Sequence, residues 1–267
     1  MEENKVNLIK EYCQENQNVE LAFIFGSQPK GLATDESDVD VGVYLKDTKV
    51  EDSIWHDLTS LIHEEVDLVV LNDAPATLVS NVFKTGLPLA IKNKKLYWKL
   101  YLEKTMEAED FAEFAQSYWQ IYQRSQSLTP EDKSRILERV VFLENELAEV
   151  AKFQKASRQD YEGNKPLRRE MERWAENIIN AQIDIAKIVL ACERKEIPKT
   201  YEEVLSQFAA LAGLDEPAAL KLSGFARLRN ILAHEYLDIL YQKITSFIDQ
   251  FPPLYIKISA FLKEYLK

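Results

Sequence analysis

The 267-residue sequence is short of the residues that most often staple or ligate, with two cysteines, three histidines and three methionines. Cys13 and Cys192 stand far apart and show neither metal-ligand spacing nor a disulfide framework. That excludes a disulfide-stapled secreted scaffold and predicts reduced thiols in a cytoplasmic protein. No apolar run approaches the roughly 20 residues that a membrane helix requires. The opening MEENKVNLIK carries no apolar signal region, so a soluble chain with no membrane partner is expected. Internal repeats and low-complexity tracts are also missing. What remains is 46% hydrophobic, ample for buried cores, over a length that suits two compact domains. The net charge of −11 is uneven: residues 1–128 hold 12 Lys and Arg against 22 Asp and Glu, and the remainder is near balance with 21 against 22. An acidic first half repels nucleic acid in general but not a metal-dressed nucleotide, whereas the balanced second half can carry a local basic patch.

Three of only seven glycines fall in Gly26–Leu45, GSQPKGLATDESDVDVGVYL. The apolar run Leu21 to Phe25 predicts a strand that delivers a tight turn at Gly26 and Ser27. There the backbone can approach a phosphate closely, and the Ser27 hydroxyl and N–H can donate. Ten residues later Asp38 and Asp40 alternate with Val39, Val41, Val43 and Leu45. On a strand the two carboxylates therefore share one face while the apolar set enters a core. Paired carboxylates suit Mg²⁺ bound with nucleotide phosphates, which is the chemistry of nucleotidyl transfer. A third acid is expected, and EEVDLVVLND supplies Asp67 on the exposed side of another strand, to ligate metal or take a proton from the acceptor hydroxyl. The alternative is that Asp38 and Asp40 are solvated acids at a strand start.

The pattern GSx10DxD resembles the minimal nucleotidyltransferases of the DNA polymerase beta superfamily over approximately residues 1–128. The resemblance implies an α/β domain with a small mixed sheet, ATP as substrate and Mg²⁺ as cofactor. The expected elements are a helix over 3–16, strands near 20–25, 38–45, 65–71 and 87–91, and a long helix over 95–125. His56 and His63 sit one heptad apart on the helix near 50–63 and are assigned no role.

Thr129, Pro130, Glu131 and Asp132 form a helix-start signal, and the rest of the chain reads as helical. Apolar stripes run from Ile136 to Val150 and from Leu167 to Cys192, joined by a turn at Gly163–Pro166, and are expected to pack antiparallel in a bundle. Thr200 with Glu203 reads as a capping box, Asp215 with Pro217 opens a further helix, and Pro252 and Pro253 are expected to precede a final short one. Arg158, Lys165, Arg168, Arg169 and Arg173 could guide RNA or be a solvated face.

Within this half Arg229, His234 and Tyr236 are spaced R-x4-H-x-Y. Arginine can hold a phosphate and histidine can trade protons, which suits metal-free RNA cleavage. Arginine paired with a nearby acid and a surface histidine is the alternative. On a straight helix residues five apart lie about 140° from each other, so convergence requires a bend or a two-fold partner. The stretch RNILAHEY in an all-helical domain is similar to the HEPN domains of HepT-type toxin ribonucleases, over approximately residues 130–267. The resemblance implies that Arg229 and His234 are ribonuclease residues acting on RNA. It implies that Tyr236 is the acceptor adenylylated by an MntA-type nucleotidyltransferase; the convergence condition on Arg229 and His234 leads to the expectation of a homodimer or higher oligomer of this domain. Together the two resemblances imply a nucleotidyltransferase domain at 1–128 fused to an all-α HEPN bundle at 129–267, silencing its own ribonuclease by AMP transfer. A small-molecule, antibiotic-type nucleotidyltransferase with a helical dimerisation domain is the second reading, and an assembly module with a regulatory nucleotide site is a third.

Overall fold

The computed structural model describes residues 3–26, 39–124, 127–234 and 241–267. The chain divides into two compact units, Met1–Glu109 and Asp110–Lys267.

In the first unit, α1 (Glu3–Glu15), β1 (Val19–Ile24), β2 (Val39–Leu45), α2 (Glu51–Ile62), β3 (Val66–Val70), α3 (Ala76–Thr85) and β4 (Leu87–Ile91) precede α4 (Lys94–Arg124). The four strands form one mixed sheet in the order β3-β2-β1-β4. β2 pairs antiparallel with β1 and parallel with β3, and β1 pairs antiparallel with β4. The period-2 pattern sets which residues face each core. Val39, Val41, Val43 and Leu45 pack with Ile9 and Cys13 of α1 and Ile54 and Leu58 of α2. Leu21, Phe23 and Phe25 face the other way, against Val79, Val82 and Phe83 of α3. A sheet covered on both faces buries its central strands, which is why β1 and β2 are almost entirely apolar.

His63 is not on the face of α2. It caps the helix in the left-handed conformation, φ 54°, its N–H donating to Thr59 O at 3.0 Å.

The second unit is helical: α5 (Pro130–Ala148), α6 (Val150–Gln154), α7 (Arg158–Gly163), α8 (Lys165–Cys192), α9 (Tyr201–Leu211), α10 (Glu216–His234) and α11 (Tyr241–Tyr265). Residues from Phe111 onward on α4 also belong to its core, among them Phe114, Tyr118 and Ile121. The compact units therefore divide inside α4, whereas the sequence reading puts the boundary at 128/129. α5 opens on a reciprocal capping box between Thr129 and Asp132, with Pro130 in its first turn. Asp132 is fully buried and also accepts a hydrogen bond from Arg124.

Two expectations for this half are corrected. α5 and α8 are not joined by the Gly163–Pro166 turn alone, since α6 and α7 intervene and α7 carries its own Ser157–Asp160 capping box. Pro252 and Pro253 do not precede a separate helix but lie inside the continuous α11. Each proline removes one backbone donor. The buried stripe of Phe247, Ile248, Phe251, Leu254, Tyr255 and Ile258 holds the segment helical despite that loss. At the start of α9, Thr200 accepts from Glu203 N as the pattern implies, but the Glu203 carboxylate accepts from Lys199 N at 2.7 Å and the box is not reciprocal.

Candidate functional site

The first constellation lies at the ends of β1 and β2. Gly26 follows β1 with φ +77°, a left-handed conformation that costs a residue with a Cβ. A methyl carbon added at Gly26 would stand 2.8 Å from Asp40 Cγ and closer still to its Oδ2. The Asp40 carboxylate therefore lies over bare backbone at the turn, a seat that only glycine provides. Phe25 N donates to Asp40 O at 3.0 Å, which ties the turn to β2 just before Gly26. Asp67 of β3 is the register partner of Asp40. Since neighbouring strands run roughly 4.8 Å apart, the two carboxylates start from adjacent positions on one face. Asp40 is half-buried and Asp67 exposed, so both reach solvent while Val39, Val41, Val66 and Leu68 face the α1/α2 core. Two register pairs further along, a Cβ at Gly42 would meet Leu71 Cδ2 at 3.3 Å and Val82 Cγ1 of α3 at 3.4 Å, so the glycine leaves little room there for a side chain.

Carboxylates in this setting are hard oxygen donors of the kind Mg²⁺ takes, one or two per ion with phosphate and water completing the shell, and the exposed Asp67 beside Asp40 is placed either to join such a shell or to accept a proton. Asp38 and Ser27 lie outside the described residues. Among the described residues there is no cluster of three or more potential metal-ligating side chains.

The second constellation surrounds Arg229 on α10, which is 8% exposed. Its Nη1 and Nη2 both donate to the Asp110 carboxylate, the latter at 3.0 Å, and its Nε donates to Asn180 Oδ1 at 3.0 Å. The guanidinium also lies over the Tyr201 ring, 4.7 Å from its centroid. Burial alone would lower the Arg229 pKa, but the bond to Asp110 and the surrounding negative groups raise it instead. The neighbouring Tyr201 hydroxyl is pushed far above its ordinary value by burial. These groups line a cleft of about 350 Å³ that also holds Glu113, Asp184 and Lys187. α10 ends at His234, whose side chain, like all of Tyr236, lies outside the described residues. The structure therefore brings Asp40 together with Gly26 and Asp67, and places Arg229 in a separate cleft.

Residues 7–95 match the polymerase beta nucleotidyltransferase family, and residues 143–261 match the HepT-like ribonuclease family. The chain joins a polymerase-beta nucleotidyltransferase domain to a HepT-like HEPN domain. Gly26, Asp40 and Asp67 fall inside the first matched segment, and Asn180, Tyr201 and Arg229 inside the second. No curated protein matches the sequence. Among solved structures, the chain is similar to a crystal structure of a toxin-antitoxin with AMP-PNP, at 22% identity over 44% of this chain and 94% of that one, TM-score 0.37. It is also similar to a tri-AMPylated Shewanella oneidensis HEPN toxin in complex with MNT antitoxin, at 20% identity over the same shares, TM-score 0.35.

The second unit contains partners of Arg229 that the sequence did not disclose. Asp110 is 119 positions away and Asn180 is 49, separations at which no periodicity links residues. The one available signal is a polar residue at a part-buried position of an amphipathic helix, as Asp110 is on α4 and Asn180 on α8. In the same unit three of the five basic residues on α7 and α8 are ion-paired along their own helices, Arg158 with Glu162, Arg168 with Glu172 and Arg173 with Glu176. No helix among the described residues is long and apolar enough to cross a membrane.

Proposed function

We propose that the nucleotidyltransferase domain transfers AMP from ATP to Tyr236 and thereby silences a ribonuclease built on Arg229 and His234. Gly26 and Ser27 hold the triphosphate at the turn after β1. Asp38 and Asp40 are the carboxylates that would hold Mg²⁺, which when bound supplies neutralisation of phosphate charge. Asp67 takes the phenol proton, since a tyrosine hydroxyl with an ordinary pKa near 10 needs a base. The Tyr236 oxygen bonds to the α-phosphorus, the α–β anhydride bond breaks and pyrophosphate leaves. An adenylyl group two residues from His234 then adds a bulky anion that repels and obstructs the RNA backbone.

The observation that supports this reading most is the seat of Asp40 over Gly26, with Asp67 in register beside it. A solvated surface acid requires no glycine beneath it. The match of residues 143–261 to the HepT-like ribonuclease family favours a protein acceptor over a small-molecule one. Active dimers of the HEPN domain are part of the proposal, because Arg229 and His234, five apart on one helix, converge most simply across a two-fold axis.

Intact-mass measurement and peptide mapping with and without Mg-ATP, beside an Asp40→Asn variant, test the reading. The Tyr236 peptide of the parent should gain AMP and that of the variant should not. A parent that leaves Tyr236 unmodified while adenylylating an added aminoglycoside or lincosamide overturns it.

A further inference from the structure

Arginine binds carboxylates and phosphodiesters through the same two-pronged face, so the two compete for it. In this structure that face of Arg229 is taken. Asp110 receives both Nη groups, Asn180 receives Nε, and Tyr201 covers one side of the plane. Of the five guanidinium N–H groups, at most two remain for any other ligand. The cleft around the pair is no more inviting to an anion. Lys187 is tied to Asp184 at 3.0 Å, and Glu113 adds a third acid against two cations. The two partners are not equally fixed: the Arg229 side chain is 10% exposed and that of Asp110 is 29% exposed. Asp110 is the one that can swing into solvent. It is also the first residue of the second unit, on α4, and lies outside both matched segments, 7–95 and 143–261. The acid that occupies Arg229 is therefore supplied by the helix preceding the HepT-like segment.

We propose that Asp110 is an internal substitute for an RNA phosphate, a latch that keeps Arg229 from binding a phosphodiester until the carboxylate is displaced. The proposal rests on the reading of Arg229 as a ribonuclease residue. It adds a restraint that operates before any AMP is attached, so an unmodified chain is held in check as well.

The test uses the full chain carrying Tyr236→Phe, which cannot accept AMP at that phenol, and a non-cleavable 2′-O-methyl oligoribonucleotide followed by fluorescence anisotropy. Asp110→Asn keeps the size of the side chain but removes its charge. It should tighten binding about tenfold and steepen the dependence of log K on log salt by about one. Adding Arg229→Gln should abolish both gains. Asp110→Glu, which retains the carboxylate, should bind as weakly as the parent. Equal or weaker binding by the Asp110→Asn chain overturns the latch. So does equal tightening by Asp110→Asn and Asp110→Glu, which would mean that any disturbance of the cleft suffices. A parallel assay with ordinary RNA separates the two readings. Tightened binding without cleavage by any variant removes the ribonuclease but leaves the latch standing as a gate on a phosphate site.

Discussion

Alanine at position 26 tests whether the turn after β1 is built to receive Asp40. The added methyl would stand 2.8 Å from Asp40 Cγ, whereas carbon atoms in ordinary contact are about 3.5–4.0 Å apart. The carboxylate must therefore retreat by roughly 1 Å, or the turn must open by as much. The backbone adds its own cost, since φ is +77° and a left-handed L-residue loses roughly 1–2 kcal/mol. Gly26→Ala should lower the stability of the first unit by about that amount while leaving it folded. A displacement of roughly 1 Å in a positioning group can cost on the order of a hundredfold in rate. Initial rates of AMP transfer, read by intact mass at saturating Mg-ATP, should accordingly fall about a hundredfold. Asp40→Asn sets the floor, because it preserves volume and removes charge. Thermal unfolding in parallel reports the backbone cost. A Gly26→Ala chain that transfers AMP within about threefold of the parent, a difference on the order of 0.6 kcal/mol, refutes the argument that the glycine makes room for the carboxylate.

Asp132→Ala should destabilise the second unit by about 2–3 kcal/mol in urea unfolding, because it removes a helix cap and a buried acceptor for Arg124 at once; a loss below about 0.5 kcal/mol would contradict the burial described above. Burial alone would raise the Asp132 pKa, but the hydrogen bonds from Thr129 and Arg124 hold it below the ordinary carboxylate value. Its contribution is thus fully present above about pH 4 and is lost as pH falls through the lower folded value, so parent and Asp132→Ala stabilities should converge in acid, and a constant difference down to pH 2 would show that the charge is irrelevant. Burial pushes the Cys13 thiol up to about 12 and the Cys192 thiol, with help from Asp132, up to about 11. Neither should react with a thiol reagent at pH 8 until the chain is unfolded, and rapid labelling of either in the native protein would contradict the structure.

Where periodicity and local chemistry decide the structure, the sequence was readable. β2 could be read because Val39, Val41, Val43 and Leu45 all enter one core, and the start of α5 because Thr129 and Asp132 lie within one turn of each other. Local reasoning failed where tertiary packing outweighs it. A Pro-Pro pair is a strong break signal, yet the buried aromatic and aliphatic stripe of α11 carries the helix through it. A heptad spacing suggested that His56 and His63 share a face, whereas His63 closes the helix in a left-handed conformation. The constellation at the ends of β1 and β2 follows in part from the spacing of Gly26 and Asp40, because a turn and a strand fix their geometry. The surroundings of Arg229 do not, because α4, α8 and α9 meet α10 only after the bundle has assembled.

The division of α4 bears on how the HepT-like half can be produced by itself. A fragment begun at Thr129, the natural choice from the capping signal, would lack Phe111, Phe114, Tyr118 and Ile121, all of which are buried in that half. It would leave an uncovered apolar trough and a cationic guanidinium stripped of its counter-ion. Such a fragment would aggregate or stick to polyanions for reasons unrelated to any enzymatic activity, whereas one begun at Asp110 would carry its own lid.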